Sequence, residues 1–341
     1  MGYSAEVSNR QCQKLGKLLL ELRLQTENFL NPHLFPSKEA DAEDVARFFF
    51  FVTGIDHRTS PSGQSFEGTI DRNYFQGADL LWHLSLRRFN EDVQVFHPKR
   101  MAKITTKEVR EWFTVTKPKT VTIRNPAQRA ALLRDGGKRL MQQYQGSVLN
   151  LLQAARHRIS TSSAREPGLL QLLAKFQAYE DPVSKKSLLL LKFLLRRNLW
   201  SHTDVDELRI PVDNHLTRIA LRTGIVVVSP ALADLLRSQK AMALKQDIAL
   251  RNTIGKAYLR VSTASNRSVL DLDDFFWHFG RQCCQLTAPV CVRGCRTDCF
   301  VSKYLINSGC PQKCPLSSVC LAFDDDAQRG LVEPKVETWF Y

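Results

Sequence analysis

Three groups of residues in this chain have types and spacings that could do chemistry. The first is a run of thiols: eight of the nine cysteines lie between Cys283 and Cys320, and only Cys12 lies elsewhere. An exported disulfide domain spreads its cysteines over a small scaffold, whereas a dense cluster beside a large cysteine-poor body favours metal ligation. The second is a carboxylate, Asp213, in the stretch RIPVDNHLTRIALRTG from Arg209 to Gly224. Pro211 favours extended backbone before it, so a helix is expected to begin with Asp213 as its N-cap. On spacing alone the carboxylate accepts a backbone N–H and offsets the helix dipole, and catalysis is the alternative. Arg218 and Arg222, one turn apart on that helix, form a basic strip that could grip phosphate, with a solvated face as the bland reading.

The third group is the basic helix expected over Ser184 to Asn198. Helical spacing puts Lys185 on one stripe with Leu189, Lys192 and Arg196, and Lys186 on another with Leu190, Phe193 and Arg197. Lys186 is the one set against apolar surface, where desolvation lowers an amine's pKa and makes it nucleophilic. A snorkelling or phosphate-binding lysine is the competing role. A weaker set near the amino terminus, Asp56, His57, Tyr74 and Trp82, could line a base pocket by stacking and edge hydrogen bonds. Read structurally, the same set is a helix-end cap with core aromatics.

The elements that must position these residues are helical. Leu15, Leu18, Leu19 and Leu22 recur at helical spacing, a second helix runs from Ala40 into Phe48–Phe51, and a third from about Gly77 to Phe89 carries Leu80, Leu81, Trp82 and Leu84. Helical patterns resume at Pro126, with Gly136-Gly137 and Gly146 as breaks, and STSSAREPG from Ser160 to Gly168 reads as a loop or boundary. Helices then follow at Leu169–Tyr179, Ser184–Asn198, Asn214–Arg222 and Pro230–Arg260, the last broken once. Credible alternating strands are almost lacking. The expected fold class is all-α, two helical lobes with a C-terminal cysteine-rich iron–sulfur-type loop, divided as 1–160, 161–280 and 281–341.

The bulk numbers agree with a folded protein that meets an anion. The chain has 341 residues, 43% of them hydrophobic, and 48 Lys and Arg against 34 Asp and Glu give a formal charge of +14. Such a charge steers encounter with a polyanion, so nucleic acid is the first expected partner. No run of 18 apolar residues suggests a membrane span, and MGYSAEVSNRQCQKLGK lacks a signal peptide's apolar core. A cytoplasmic location is expected, with no membrane and no obligate protein partner.

The string IPVDNHLTRIALRTGIV resembles the segment that carries the catalytic aspartate in the helix-hairpin-helix DNA glycosylases. Cys284-x6-Cys291 and Cys314-x5-Cys320 are similar to the first and last spacings of the iron–sulfur loop of endonuclease III and adenine-glycosylase relatives. The resemblance covers about Leu169 to Cys320. It implies that Asp213 stabilises an oxocarbenium-like sugar as the base departs. It implies a Schiff-base lysine at Lys186, with Lys185 as fallback, because Lys185-Lys186-Ser187 before an apolar helix is similar to the archaeal 8-oxoguanine glycosylase branch. It further implies a [4Fe–4S] cluster on Cys284, Cys291, Cys314 and Cys320, with Cys310 as rival for one place.

The chain departs from that family in lacking the Leu-Pro-Gly-Val-Gly type hairpin and in the insertion between Cys291 and Cys314. The remaining thiols, Cys283, Cys295, Cys299 and Cys310, could make an additional zinc site. The expected activity is removal of a flipped base from double-stranded DNA, with lyase activity if Lys186 attacks the sugar, and with Lys185, Lys192, Arg218, Arg222 and Arg281 on the phosphate backbone. The alternatives are a nucleoside or nucleotide N-glycoside hydrolase, and a non-catalytic iron–sulfur nucleic-acid-binding protein.

Overall fold

The computed structural model describes residues 2–22, 24–59, 65–163, 165–295, 301 and 314–341. The chain forms two compact units: a terminal unit of Met1–Glu27 with Arg209–Thr338, and a middle unit of Asn28–Leu208 with Trp339–Tyr341. The longer helices of the first half are α1 (Asn9–Glu21), α2 (Ala42–Ile55), α3 (Ala78–Glu91) and α4 (Pro126–Gln143). Those of the second half are α5 (Lys185–Arg196), α6 (Asn214–Thr223), α7 (Pro230–Ser238), α8 (Leu244–Ser265) and α9 (Val269–Gln282). The protein is mostly helical, as its periodicity implies.

The middle unit is built around α2. Four consecutive phenylalanines, Phe48 to Phe51, advance about 100° each and so cover every face of the helix, which can be stable only if the helix is buried all round. It is: all four are buried, Phe49 stacks on Phe193 of α5 at 4.9 Å, and Phe48 meets Trp82 of α3 edge-on at 5.7 Å. Burying each such ring contributes about 1.5–3 kcal/mol. Asp41 starts the helix by accepting from the amides of Glu43 and Asp44 at 2.9 and 3.1 Å. The glycine pair expected to interrupt α4 lies inside it instead. A Cβ on Gly137 would stand 2.4 Å from the Ala102 nitrogen, so glycine serves close packing against the Pro98–Met101 helix rather than a break.

In the terminal unit α1 lays Cys12, Leu15 and Leu19 against α8, and α6 packs on α9. The expected break after Pro230 falls between α7 and α8, where Gln239 is left-handed. The first residues pack with the last third of the chain: β1 (Ala5–Val7) pairs antiparallel with β6 (Val226–Val228). The loop expected as a boundary is tied down inside the middle unit, where the Asp204 carboxylate accepts from the amides of Ile159 and Ser160.

The few strands form short pairs, in keeping with the expectation that strands are almost lacking. Besides β1 and β6, β2 (Glu67–Ile70) pairs with β3 (Asn73–Gln76), and β4 (Thr114–Val115) with β5 (Val121–Thr122). The β2–β3 turn is Asp71-Arg72, both at positive φ, the conformation that suits a two-residue hairpin. Arginine there hides the usual Asn-Gly or Asp-Gly signal.

Candidate active site and cysteine pocket

Asp213 caps α6 as its spacing implies. Its Oδ1 accepts from the Leu216 amide at 2.8 Å, and α6 ends at Gly224, which is left-handed with φ 78°. The carboxylate is half-buried, and no donor among the described residues bonds Oδ2. Its setting is rigid. Arg251 of α8, 1% exposed, takes both oxygens of the wholly buried Asp247 at 2.9 and 3.0 Å and donates to the Val212 carbonyl at 3.3 Å and to Asn214 Oδ1 at 2.7 Å. Tyr258 adds a hydrogen bond to the Leu216 carbonyl at 2.9 Å. The residues on either side of Asp213 are therefore held from a second helix. An acceptor-only group fixed this way can stabilise a developing cation or accept a proton from water.

Lys186 belongs to the middle unit and Asp213 to the terminal unit. As expected, Lys186 is the more desolvated lysine of its pair, with 0% exposure. Its Nζ donates to the Gly54 carbonyl at 2.6 Å and lies 3.3 Å from His57 Nδ1. Arg129 donates to the Ile55 carbonyl, and to that of His57 at 2.6 Å. Two cations thus meet the carbonyls that a helix C-terminus leaves unpaired, where the helix dipole is negative. Asp56, held by Trp82 Nε1 at 3.1 Å, offsets part of their charge.

Burial, then the charges of Lys185 and Arg129, push the Lys186 ammonium well below its ordinary value. Burial, then Arg129 and Lys186, hold His57 low as well. The enclosed Nζ, bonded to a helix carbonyl, has a capping geometry and no accessible surface for a sugar to reach. Asp56, His57 and Trp82 do come together at this helix end, in the capping role that their types also allow. Tyr74 does not join them: it stands 59% exposed on β3, donating to Glu67 at 2.7 Å.

The side chains expected on a phosphate backbone are mostly interior. Lys185 and Lys192 are buried, and Lys192 lies 5.4 Å over the Phe29 ring. Arg218 and Arg222, 2% and 3% exposed, are not a solvated strip. Arg218 donates to the carbonyls of Cys284 and Gly280 at 2.8 and 3.0 Å and pairs with Glu333 at 2.5 Å. Arg222 donates to the carbonyls of Gln285, Leu286 and Arg329 at 2.7, 2.9 and 2.9 Å. The helix wheel gave the spacing correctly, but α9 and the tail cover that face. Arg281 is half-buried, its guanidinium 4.4 Å from the Trp277 ring centre.

Cys284, Cys291, Cys314 and Cys320 line one small, partly open cavity of about 20 Å³, with Cys283, Phe279, Arg222 and Arg329 among its other walls. Burial, followed by the nearness of Cys284, pushes the Cys320 thiol up to about 12, and burial raises Cys314 further. Among the described residues no group of three His, Cys, Asp or Glu side chains is placed to hold a single metal ion. Cys299 and Cys310, needed for the expected zinc site, lie outside the described residues.

Four positions that hold these groups in place escape the sequence reading. Asp247 and Arg251 are spaced i, i+4, which signals an ion pair but not its burial. Ser184 holds the N-cap position of α5, but the carboxylate that accepts from the Lys185 amide, at 2.7 Å, is Asp181, and its place before Pro182 was the available signal. Arg129 donates through Nε to the nearby Arg124 carbonyl at 2.9 Å, but the helix-end carbonyls its Nη atoms meet lie more than 70 residues away, so nothing local signals that role.

Fold and site define a helical two-unit protein with a framed carboxylate at a helix mouth. The chain belongs to the queuosine salvage protein family, whose model matches residues 37–286. No curated protein matches it. The match overturns the resemblance to the helix-hairpin-helix DNA glycosylases, and with it the expectation of an iron–sulfur enzyme of DNA repair. Asp213 and Lys186 lie inside the matched span, while Cys291, Cys314 and Cys320 lie beyond it.

Proposed function

We propose that this protein releases the modified base from a queuosine-type nucleoside or its nucleotide by cleaving the N-glycosidic bond. Salvage of such a base requires that bond to break. The observation that carries the reading is Asp213: a carboxylate within the span matched by the family, with one oxygen used as a cap, the other without a donor among the described residues, and its flanks held by Arg251. In the reaction the C1′–N bonding pair leaves with the base, positive charge spreads over C1′ and the ring oxygen, and water adds to C1′ and loses a proton. The fixed negative charge beside C1′ favours that transition state over the neutral ground state. The base nitrogen gains a proton as it leaves.

The test is release of free queuine from queuosine and from its 5′-phosphate by the purified protein, followed chromatographically. Asp213→Asn keeps a good N-cap and removes the charge. A rate loss of about 10²–10⁴ with unchanged helicity is expected. Equal release by wild type and variant would remove Asp213 from the mechanism.

A further inference from the structure

We propose that Cys284 and Cys320 of the terminal unit form a reversible disulfide when peroxide reaches their pocket, a redox clasp over the last turn of α6. It rests on the thiols alone and stands whether or not the chain is a hydrolase.

The pocket has room for a small reagent and for little else. A partly open void of about 20 Å³ admits a molecule on the order of water in size, such as peroxide, and no organic cofactor. Cys284 just after α9, Cys291 in the short helix Val290–Arg293, and Cys314 and Cys320 of the tail all face it, and none of the four is in a disulfide. Two of these sulfurs meet one residue. Arg222 Nη1 donates to Cys284 Sγ at 3.5 Å, and the Cys320 thiol donates to the Arg222 carbonyl at 3.5 Å. The other bonds of the Arg222 side chain go to the carbonyls of Gln285, Leu286 and Arg329, so no carboxylate among the described residues cancels its charge.

The two thiols differ in their surroundings, and the difference divides their roles. A sulfur attacks an oxidant as an anion, and the guanidinium against Cys284 stabilises that charge as it builds. The Cys320 thiol is pushed up to about 12, by burial first and then by Cys284, so it keeps its proton until a partner sulfur is oxidised. Cys284 attacks one peroxide oxygen and becomes a sulfenic acid as the O–O bond breaks; the other oxygen leaves as hydroxide and takes the proton that Cys284 gave up. The Cys320 sulfur then attacks the sulfenic sulfur. The S–S bond forms, the S–O bond breaks, and the departing hydroxide takes the Cys320 proton to leave as water. Two thiols thus lose two electrons to one peroxide, which becomes two waters, and a small thiol reverses the bond by exchange. The clasp would close the tail over Arg222 and Thr223, the end of the helix that begins at Asp213.

The test takes the full chain, reduced and desalted, through hydrogen peroxide, alkylation and peptide mapping without reduction. The expected result is about two fewer alkylatable thiols per chain, a linked peptide pair holding Cys284 and Cys320, and return of both thiols on reduction. Cys320→Ser should stop at a sulfenic acid on Cys284 that dimedone captures. Cys284→Ser, which leaves its neighbour Cys283 in place, should give neither that linkage nor that capture. Cys12→Ser, whose thiol is buried against α8, should behave as the wild type. An unchanged thiol count in the folded protein, or a linkage that leaves out either Cys284 or Cys320, overturns the proposal. Should the serine variants fail to fold, the linkage map of the wild type decides.

Discussion

Asp213 separates two roles that one side chain can hold. As a cap it offers one oxygen to the Leu216 amide, a bond that asparagine can replace, since Asp and Asn are comparable N-caps. As a charge it has no amide substitute. Asp213→Asn should therefore leave thermal stability within about 0.5 kcal/mol while base release collapses. At the end of α2 the chemistry is stability. His57 is held below its ordinary pKa by burial and by Arg129 and Lys186, so in the folded state it stays neutral where the unfolded chain already binds a proton. Its contribution is present above about pH 6.5 and is lost as the pH falls toward the depressed folded value. Stability should fall between about pH 6.5 and 5 by up to about 1.4 kcal/mol per unit. Calorimetry at stepped pH on the wild type and on His57→Asn checks this; an unchanged slope in the variant would assign the acid sensitivity elsewhere.

At the scale of elements, α6 is the frame that matters. It starts at a carboxylate, is gripped along its length by Arg251 and Tyr258, and stops at Gly224. Gly224→Ala meets two obstacles, a positive φ and a new Cβ 2.3 Å from Leu321 Cδ1. It should destabilise the terminal unit by about 2–4 kcal/mol, read from denaturant midpoints. Arg251→Met should be costlier, about 3–5 kcal/mol, because Asp247 is left charged and unpaired in the interior. If it folds, its rate should fall with little change in KM, since Asp213 loses its support. An unchanged rate would detach Arg251 from the site.

Much of this was legible: the phenylalanine run forced a buried helix, Pro211-Val212-Asp213 marked a helix start, and Lys186 fell on the apolar stripe. What was not legible was long-range. Nothing near Lys186 announces Gly54, 132 residues away, as its acceptor. Nothing in Arg218-x3-Arg222 shows that α9 and the tail will cover that face. The hairpin at Asp71-Arg72 was missed because its turn uses a residue that rarely adopts positive φ. The resemblance to repair enzymes came from a capped aspartate followed by spaced cysteines, and both features survive in a chain of a different family.

For the whole molecule, the +14 charge overstates what a polyanion would meet. Lys185, Lys186, Lys192, Arg129, Arg218, Arg222 and Arg251 are all buried, and the side chains of all but Lys185 have interior partners. A salvage enzyme acting on a nucleoside needs no extended phosphate grip. Its KM should change less than about threefold between 50 and 200 mM salt, whereas a protein neutralising six phosphates would lose about 10³ in affinity. The central claim is that a framed carboxylate breaks the glycosidic bond of a queuosine-type substrate. Its most direct measurement is the rate of queuine release from queuosine and its 5′-phosphate, with guanosine alongside, by wild type and Asp213→Asn. The account predicts release by the wild type and a loss of about 10²–10⁴ in the variant; no release from either queuosine substrate, or release that ignores the variant, would contradict it.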